Sequence, residues 1–255
     1  MSSFCSIPGR TTVTNLLNTA LLPVGQTLYV YGGGWDYADL GSGPQSTQLG
    51  LVPSWLDFFS AQNSAYDYRL FRGQGINPYF YAGLDCSGYL GWVVYNTLRQ
   101  KSGQSGFVYH SSHFAGMLAR KHGLGNLCSN PARLRSGDLF SMDGHVWLCV
   151  GRCPDESMVI LHSTPSPSRT GAPGGGVQLS ALGPSHCQAA LLAYDAMRHL
   201  APNWWERYQS MTYPYTTYTT ASEPDGGCFL WSSLLSDPHG LRNRSANEVL
   251  SLLLS

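Results

Sequence analysis

The sequence predicts a mixed fold in which helices come first and strands follow. Three observations predict it. Residues Thr12–Leu22 carry Val13, Leu16, Leu17 and Leu21 at helical spacing. A second helical run starts at Cys86, where Leu90, Val93, Val94 and Leu98 share one face. Between Leu134 and Gly176 the pattern turns to β: His145–Gly151 and Met158–His162 are β-rich runs with Pro154 and Asp155 as turn residues between them.

In the first helix Thr12 or Thr14 is the candidate N-cap, and Pro23 closes the run. Leu28-Tyr29-Val30-Tyr31-Gly32-Gly33-Gly34-Trp35 reads as a short strand or an extended lead-in. It ends in a glycine turn, where the backbone takes unusual angles or approaches something closely. From Asp36 to Ala82 the chain is irregular, with one short helical candidate near Pro53–Gln62 and aromatics scattered from Trp55 to Tyr81. So long a stretch without periodicity is the mark of a functional excursion.

After the Cys86 helix, Lys101–Gly106 is a polar break and Ser112–Gly123 is read as a helix. Its neighbours His110, His113 and His122 are read as surface residues, because their spacing fits no metal motif. In the β-region a four-residue loop, Arg152–Asp155, is expected. It pairs Gly151 with Glu156 and places His145 directly opposite His162 on one face; an odd loop would separate them onto opposite faces. Val177–Leu179 suits a further strand, His186–Leu200 a helix, Pro202–Tyr208 an aromatic cluster, and the Tyr/Thr-rich Tyr213–Thr220 a strand. Ser245-Ala246-Asn247-Glu248 has the spacing of a capping box opening a last helix to Leu254. There is no internal repeat and no sharp domain boundary.

Composition narrows the function. Among 255 residues the formal net charge is zero and only 12% are charged, so no basic patch argues for nucleic acid. The longest apolar runs fall short of a membrane span. Met1–Arg10 has no apolar core of the kind a secretory signal carries. The seven cysteines are an odd number without CxxC pairs, so reduced thiols are expected, with no metal site, Cys149 and Cys153 included, and no cofactor.

Cys86 is the candidate nucleophile. In the first turn of a helix, unpaired backbone N–H groups and the positive end of the dipole favour thiolate over thiol. Ser87 and Gly88 are small and leave room for a substrate. The competing assignment is a small core hydrophobe, the usual fate of a free cysteine. A cysteine at a helix start, then a histidine opening a β-run and a polar residue opposite it, is the layout of a thiol hydrolase.

These residues resemble the NlpC/P60 cysteine peptidases. Asp85-Cys86-Ser87-Gly88-Tyr89 looks like that family's nucleophile motif. Gly137-Asp138-Leu139-Phe140 and His145-Val146 are similar to its Gly-Asp-Leu and His-Val-Gly segments, and Tyr29-Val30-Tyr31-Gly32-Gly33 to its Tyr-x-x-Gly-Gly segment. His162 falls where the family has its third, polar catalytic residue. The matches run discontinuously from about Leu16 to Leu179, in the order of the standard members rather than the permuted ones.

The resemblance implies a papain-like α+β domain, with the cysteine helix packed on an antiparallel sheet that carries both histidines. It implies catalytic roles for Cys86, His145 and His162, cleaving peptide bonds of bacterial cell-wall stem peptides between D-γ-glutamyl and a diamino acid. Asp85 and Ser87 would bind the substrate's free amino end, with Asp85 also open to an N-cap role. Tyr29 would assist near the oxyanion, or be a core tyrosine. A cell-wall or extracellular place is implied, although no signal is visible.

On this basis residues 1–183 form the catalytic domain, with an aromatic-rich insertion at about 35–84 that typical members lack. Residues 184–255 form a C-terminal extension packed on it. An acyl- or lipid-processing thiol enzyme of the same superfamily, and a non-catalytic cell-wall binding protein, are the alternatives. A polar groove favours peptide and an apolar channel favours acyl chains.

Overall fold

The structure, a computed structural model, describes residues 5–71, 77, 79–221 and 224–255. Residues 72–76 and 78 of the expected insertion lie outside the described residues. The strands are β1 (Gly125–Cys128), β2 (Leu139–Met142), β3 (His145–Arg152), β4 (Met158–Thr164), β5 (Gly176–Leu182), β6 (Thr212–Tyr213) and β7 (Gly227–Trp231). They form one sheet in the order β1-β7-β2-β3-β4-β5-β6, antiparallel except for the β5–β6 pair. The helices are α1 (Val13–Leu21), α2 (Pro53–Ala61), α3 (Cys86–Leu98), α4 (Phe114–Gly116), α5 (Gln188–Leu200), α6 (Pro202–Arg207), α7 (Tyr215–Tyr218) and α8 (Ala246–Leu254). Among the described residues no helix is long and apolar enough to cross a membrane.

Strand periodicity divides the core. Val146, Leu148, Val150, Val159, Leu161, Val177, Leu179 and Ala181 face the helices and pack with α1, α3, α5 and α8. The alternate positions, including Trp147, Cys149, Met158 and Ile160, face the other way and meet Tyr213, Tyr215 and Tyr218. Helix α3 is buried from Cys86 to Thr97, as a helix that is apolar nearly all round must be. The expected caps are present: Thr12 accepts the Asn15 N–H at 3.1 Å, and Ser245 and Glu248 form the capping box on α8.

Three expectations need correction. The β3–β4 loop has five residues, 153–157, because Arg152 pairs with Met158. That odd length alone would put His145 and His162 on opposite faces. A bulge at Val150, between the Cys149–Ile160 and Gly151–Val159 pairs, shifts the register by one and restores the shared face. The two histidines are therefore diagonal neighbours rather than directly opposed.

The expected helix over Ser112–Gly123 is broken into a 3₁₀ turn, the short α4 and a π turn at Met117–Lys121. The Gly116 N–H bonds across to the Asp225 carbonyl at 2.9 Å. The expected strand over Tyr213–Thr220 stops at Tyr213, since Pro214 cannot continue the ladder and caps α7 instead. Strands β1 and β7 were not foreseen. Residues 184–255 supply β6 and β7, and β7 lies inside the sheet between β1 and β2.

The lead-in at Leu28 makes a single bridge to Gly176. The glycine turn then crosses the start of α3 at backbone contact. A Cβ on Gly88 would lie 1.9 Å from the Gly33 carbonyl oxygen, and one on Gly34, whose φ is +98°, would lie 2.3 Å from the Gly88 Cα. Backbone cannot yield as a flexible side chain can. Gly88→Ala is expected to cost about 3 kcal/mol, a fall in Tm of roughly 6–12 °C for a chain of this size. Thermal denaturation by circular dichroism checks it, and a Tm within 2 °C of the parent, roughly 1 kcal/mol or less, would contradict the crossing.

Candidate active site

Helix α3 begins at a cap built by its own sequence. The Asp85 carboxylate accepts the Gly88 N–H at 2.6 Å and the Ser87 hydroxyl at 2.9 Å. The Asp85 N–H bonds to the Gly33 carbonyl at 2.8 Å, which ties the cap to the glycine turn. Cys86 follows in the first turn with 7% of its surface exposed.

Its sulfur meets the mouth of β3. The described β3–β4 ladder ends at the Leu148–Leu161 pair. Beyond it, the groups on either side of His145 turn to Cys86: the Gly144 carbonyl oxygen lies 4.0 Å from Sγ, and the Val146 N–H donates to the thiolate form. The N–H groups of Cys86 and Ser87 stabilise the same charge. The nucleophile candidate thus lies against the backbone at the start of β3.

The two histidines meet. His145 Nε2 lies 2.8 Å from His162 Nδ1, and His162 Nε2 lies 2.9 Å from Ser180 Oγ. His162 is fully buried. Two tyrosines cover the pair edge to face: Tyr218 on His145 with ring centroids 5.6 Å apart, and Tyr213 on His162 at the same separation. The two tyrosines stack on each other at 4.2 Å. They come from the Tyr/Thr-rich segment whose composition suits a strand, and no local motif marks them.

A pocket of about 490 Å³ opens on the sulfur. Its lining includes Tyr29, Trp35, Asp39, Asp85, Cys86, Ser87, His110 and Gly144. All three expected substrate residues (Tyr29, Asp85 and Ser87) therefore reach the same cavity as Cys86. The lining also holds Trp35, one of the insertion's aromatics, whose indole N–H donates to Ser87 Oγ at 3.0 Å; sequence reasoning missed Asp39 and the exposed rim residue His110. The position of Trp35 just after the glycine turn was the available signal for it.

Burial governs the charges. It pushes the Cys86 thiol up, and the neighbouring Asp85 carboxylate adds to the effect. It lowers His145 to about 4 and pushes His162 well below its usual value, with His145 adding to that second shift. Asp85 is raised to about 6 by burial against the opposing hydrogen bonds from Gly88 and Ser87. Tyr29 is raised by burial and then by Cys86 and Asp85. At neutral pH these groups thus rest as thiol and neutral imidazoles, with the Asp85 carboxylate beside the thiol.

Among the described residues no group of three or more His, Cys, Asp or Glu side chains is placed to hold a metal ion, and the seven cysteines are free. Compared with family models, curated proteins and solved structures, the chain finds no match.

The cap makes a separable prediction. Asp85→Ala is expected to lose about 1–2 kcal/mol of stability, whereas Asp85→Asn, which can still accept from the Gly88 N–H, is expected to stay within roughly 0.5 kcal/mol of the parent. Urea unfolding of the two variants checks it; equal losses would remove the capping role.

Proposed function

We propose that this protein is a thiol-dependent amide hydrolase of papain-like architecture, acting on peptide bonds of bacterial peptidoglycan stem peptides between D-γ-glutamyl and a diamino acid. The observation that carries the reading is the junction of Cys86 with the mouth of β3, where His145 is backed at 2.8 Å by His162. Bonding of His145 through Nε2 leaves its Nδ1 to serve the thiol. The Asp-Cys-Ser-Gly and glycine-turn motifs that resemble the NlpC/P60 peptidases converge on the same pocket.

In the working cycle His145 Nδ1 takes the Cys86 proton while its Nε2–H donates to His162. The thiolate adds to the amide carbonyl carbon. The oxyanion formed is held by first-turn N–H groups of α3, with Tyr29 at the same wall. The C–N bond then breaks, His145 returns the proton to the leaving amine, and a thioester remains. Water activated by His145 hydrolyses it and restores the thiol.

The pocket chemistry supports a substrate with a free amino end. Ionised Asp85 only accepts hydrogen bonds, and Ser87 has given its single proton to Asp85. Together they offer acceptors alone, which suits a primary ammonium and not an acyl chain. Asp39 adds a second carboxylate to the lining, and no Lys or Arg offsets it among the described lining residues.

Cys86→Ala and His145→Ala are expected to abolish cleavage of an L-Ala-γ-D-Glu-diamino acid peptide, read by mass spectrometry, with circular dichroism unchanged. Full activity in Cys86→Ala would end the proposal. The pH profile should split. As pH falls below about 6, protonation of Asp85 raises KM; as it falls further towards about 4, protonation of His145 lowers kcat. A KM flat from pH 7 to pH 5 would remove Asp85 from amine binding.

A further inference from the structure

The polar chain does not end at His162. Ser180 Oγ, 2.9 Å from His162 Nε2, also accepts from Gln178 Nε2 at 2.8 Å, and Gln178 Oε1 accepts from the Ser166 hydroxyl at 2.9 Å. His162, Gln178 and Ser180 are fully buried, and Gln178 is the direct cross-strand partner of His162. Strand parity puts His145, His162, Gln178 and Ser180 on one face of three adjacent strands. A dry polar row of this kind is costly unless every member is paired.

Counting donors and acceptors gives the row a direction. The Gln178 amide faces Ser180 with its NH₂, which cannot accept. Among the described residues, the acceptor in reach of the Ser180 proton is therefore His162 Nε2. With Nε2 accepting, His162 carries its proton on Nδ1 and donates it to His145 Nε2. His145 then holds its own proton on Nδ1, the nitrogen that must be bare to receive one from Cys86. The opposite direction has the same number of protons. In it His145 Nε2–H donates to His162 and His162 Nε2–H donates to Ser180, but the Ser180 proton is left without its acceptor.

We propose that Ser180 and Gln178 are positioning residues that set the direction of the hydrogen-bond row behind His145, and that Gln178 as oriented here biases the resting protein towards the direction in which His145 cannot act as base. The proposal rests on the reading of Cys86 and His145 as nucleophile and base. It makes Gln178 a brake on the thiol. A carboxylate in its place would accept the Ser180 proton, leave Ser180 free to accept from His162 Nε2–H, and so favour the working direction. A purely structural role for Gln178 predicts the reverse, since a buried charge there would only loosen the sheet.

The test uses the intact protein and iodoacetamide, with alkylation of the Cys86 peptide followed by mass spectrometry between pH 5 and pH 9. Gln178→Glu is expected to raise the Cys86 rate at pH 7 at least tenfold and to move the profile's midpoint to lower pH. The gain should vanish in the Ser180→Ala/Gln178→Glu double variant, where the link to His162 is cut. A folded Gln178→Glu protein with a rate within twofold of the parent, or a gain that survives Ser180→Ala, overturns the proposal.

The parent protein supplies a second measurement that needs no variant to fold. In ¹⁵N spectra of the histidine rings, His145 and His162 should both show a protonated Nδ1 and a bare Nε2; a His145 protonated on Nε2 overturns the proposal. Neither readout uses a peptide substrate. A correct row direction together with failed muropeptide cleavage would therefore sink the proposed substrate and leave the relay standing.

Discussion

The site depends on two stretches of backbone passing in direct contact. Gly33 and Gly34 lie against Gly88 so closely that a single methyl on either side would collide with main chain. This contact brings the Gly33 carbonyl to the Asp85 N–H and so fixes the angle at which α3 starts. Asp85 can then cap the helix, and Cys86 faces the mouth of β3. Trp35, the residue after the turn, reaches Ser87 from the other side. The angle of α3, the aim of the nucleophile and the pocket wall formed by Trp35 all converge on this one glycine crossing.

The sheet contributes through a bulge. Five loop residues would turn His145 and His162 apart, and the unpaired Val150 turns them back together. The sequence-based register reached the correct shared face through two departures that cancel, a loop one residue longer and a bulge one residue wide. Alternation along a strand carries face information within that strand only, so the relation of His145 to His162 hung on the loop length and the bulge, neither of which a short window of sequence displays. The bulge lies close to the end of the described β3–β4 pairing at Leu148–Leu161, a short way along β3 from the backbone that meets Cys86. Bulges recur beside functional sites because they re-aim side chains in this way.

What could be read from the chain was local. Thr12, Asp85 and Ser245 announce their helices because a cap and its partner lie within three residues of each other. The Cys86 helix and both histidine strands carry their pattern in single short runs. What was hidden depends on distant chain. Trp35 meets Ser87 across 52 residues. Strand β7 inserts between β1 and β2 from the C-terminal region, and Tyr213 and Tyr218 fold back over the histidines. Gly116 gives its N–H to Asp225 and so breaks a helix that periodicity alone supports. In each case the competing partner is invisible to any window a few residues wide.

The buried groups also set how stability depends on pH. Asp85 and Asp138 are both raised to about 6 by burial, above the roughly 3.9 of an unfolded chain. The native state holds more protons than the unfolded one across that interval, so their contribution to stability falls as pH rises from about 4 to about 6. His145 at about 4, and His162, which burial and His145 also lower, lie below the unfolded value of about 6.5. Their native forms hold fewer protons, so their contribution is full above about 6.5 and falls as pH drops towards 4. The two slopes oppose each other over one interval, with two groups on each side. A fold with buried carboxyls alone, or with buried imidazoles alone, would be tied to one side of pH 5. Holding both lets the protein keep a neutral histidine pair and a capped carboxyl without concentrating its pH sensitivity in either.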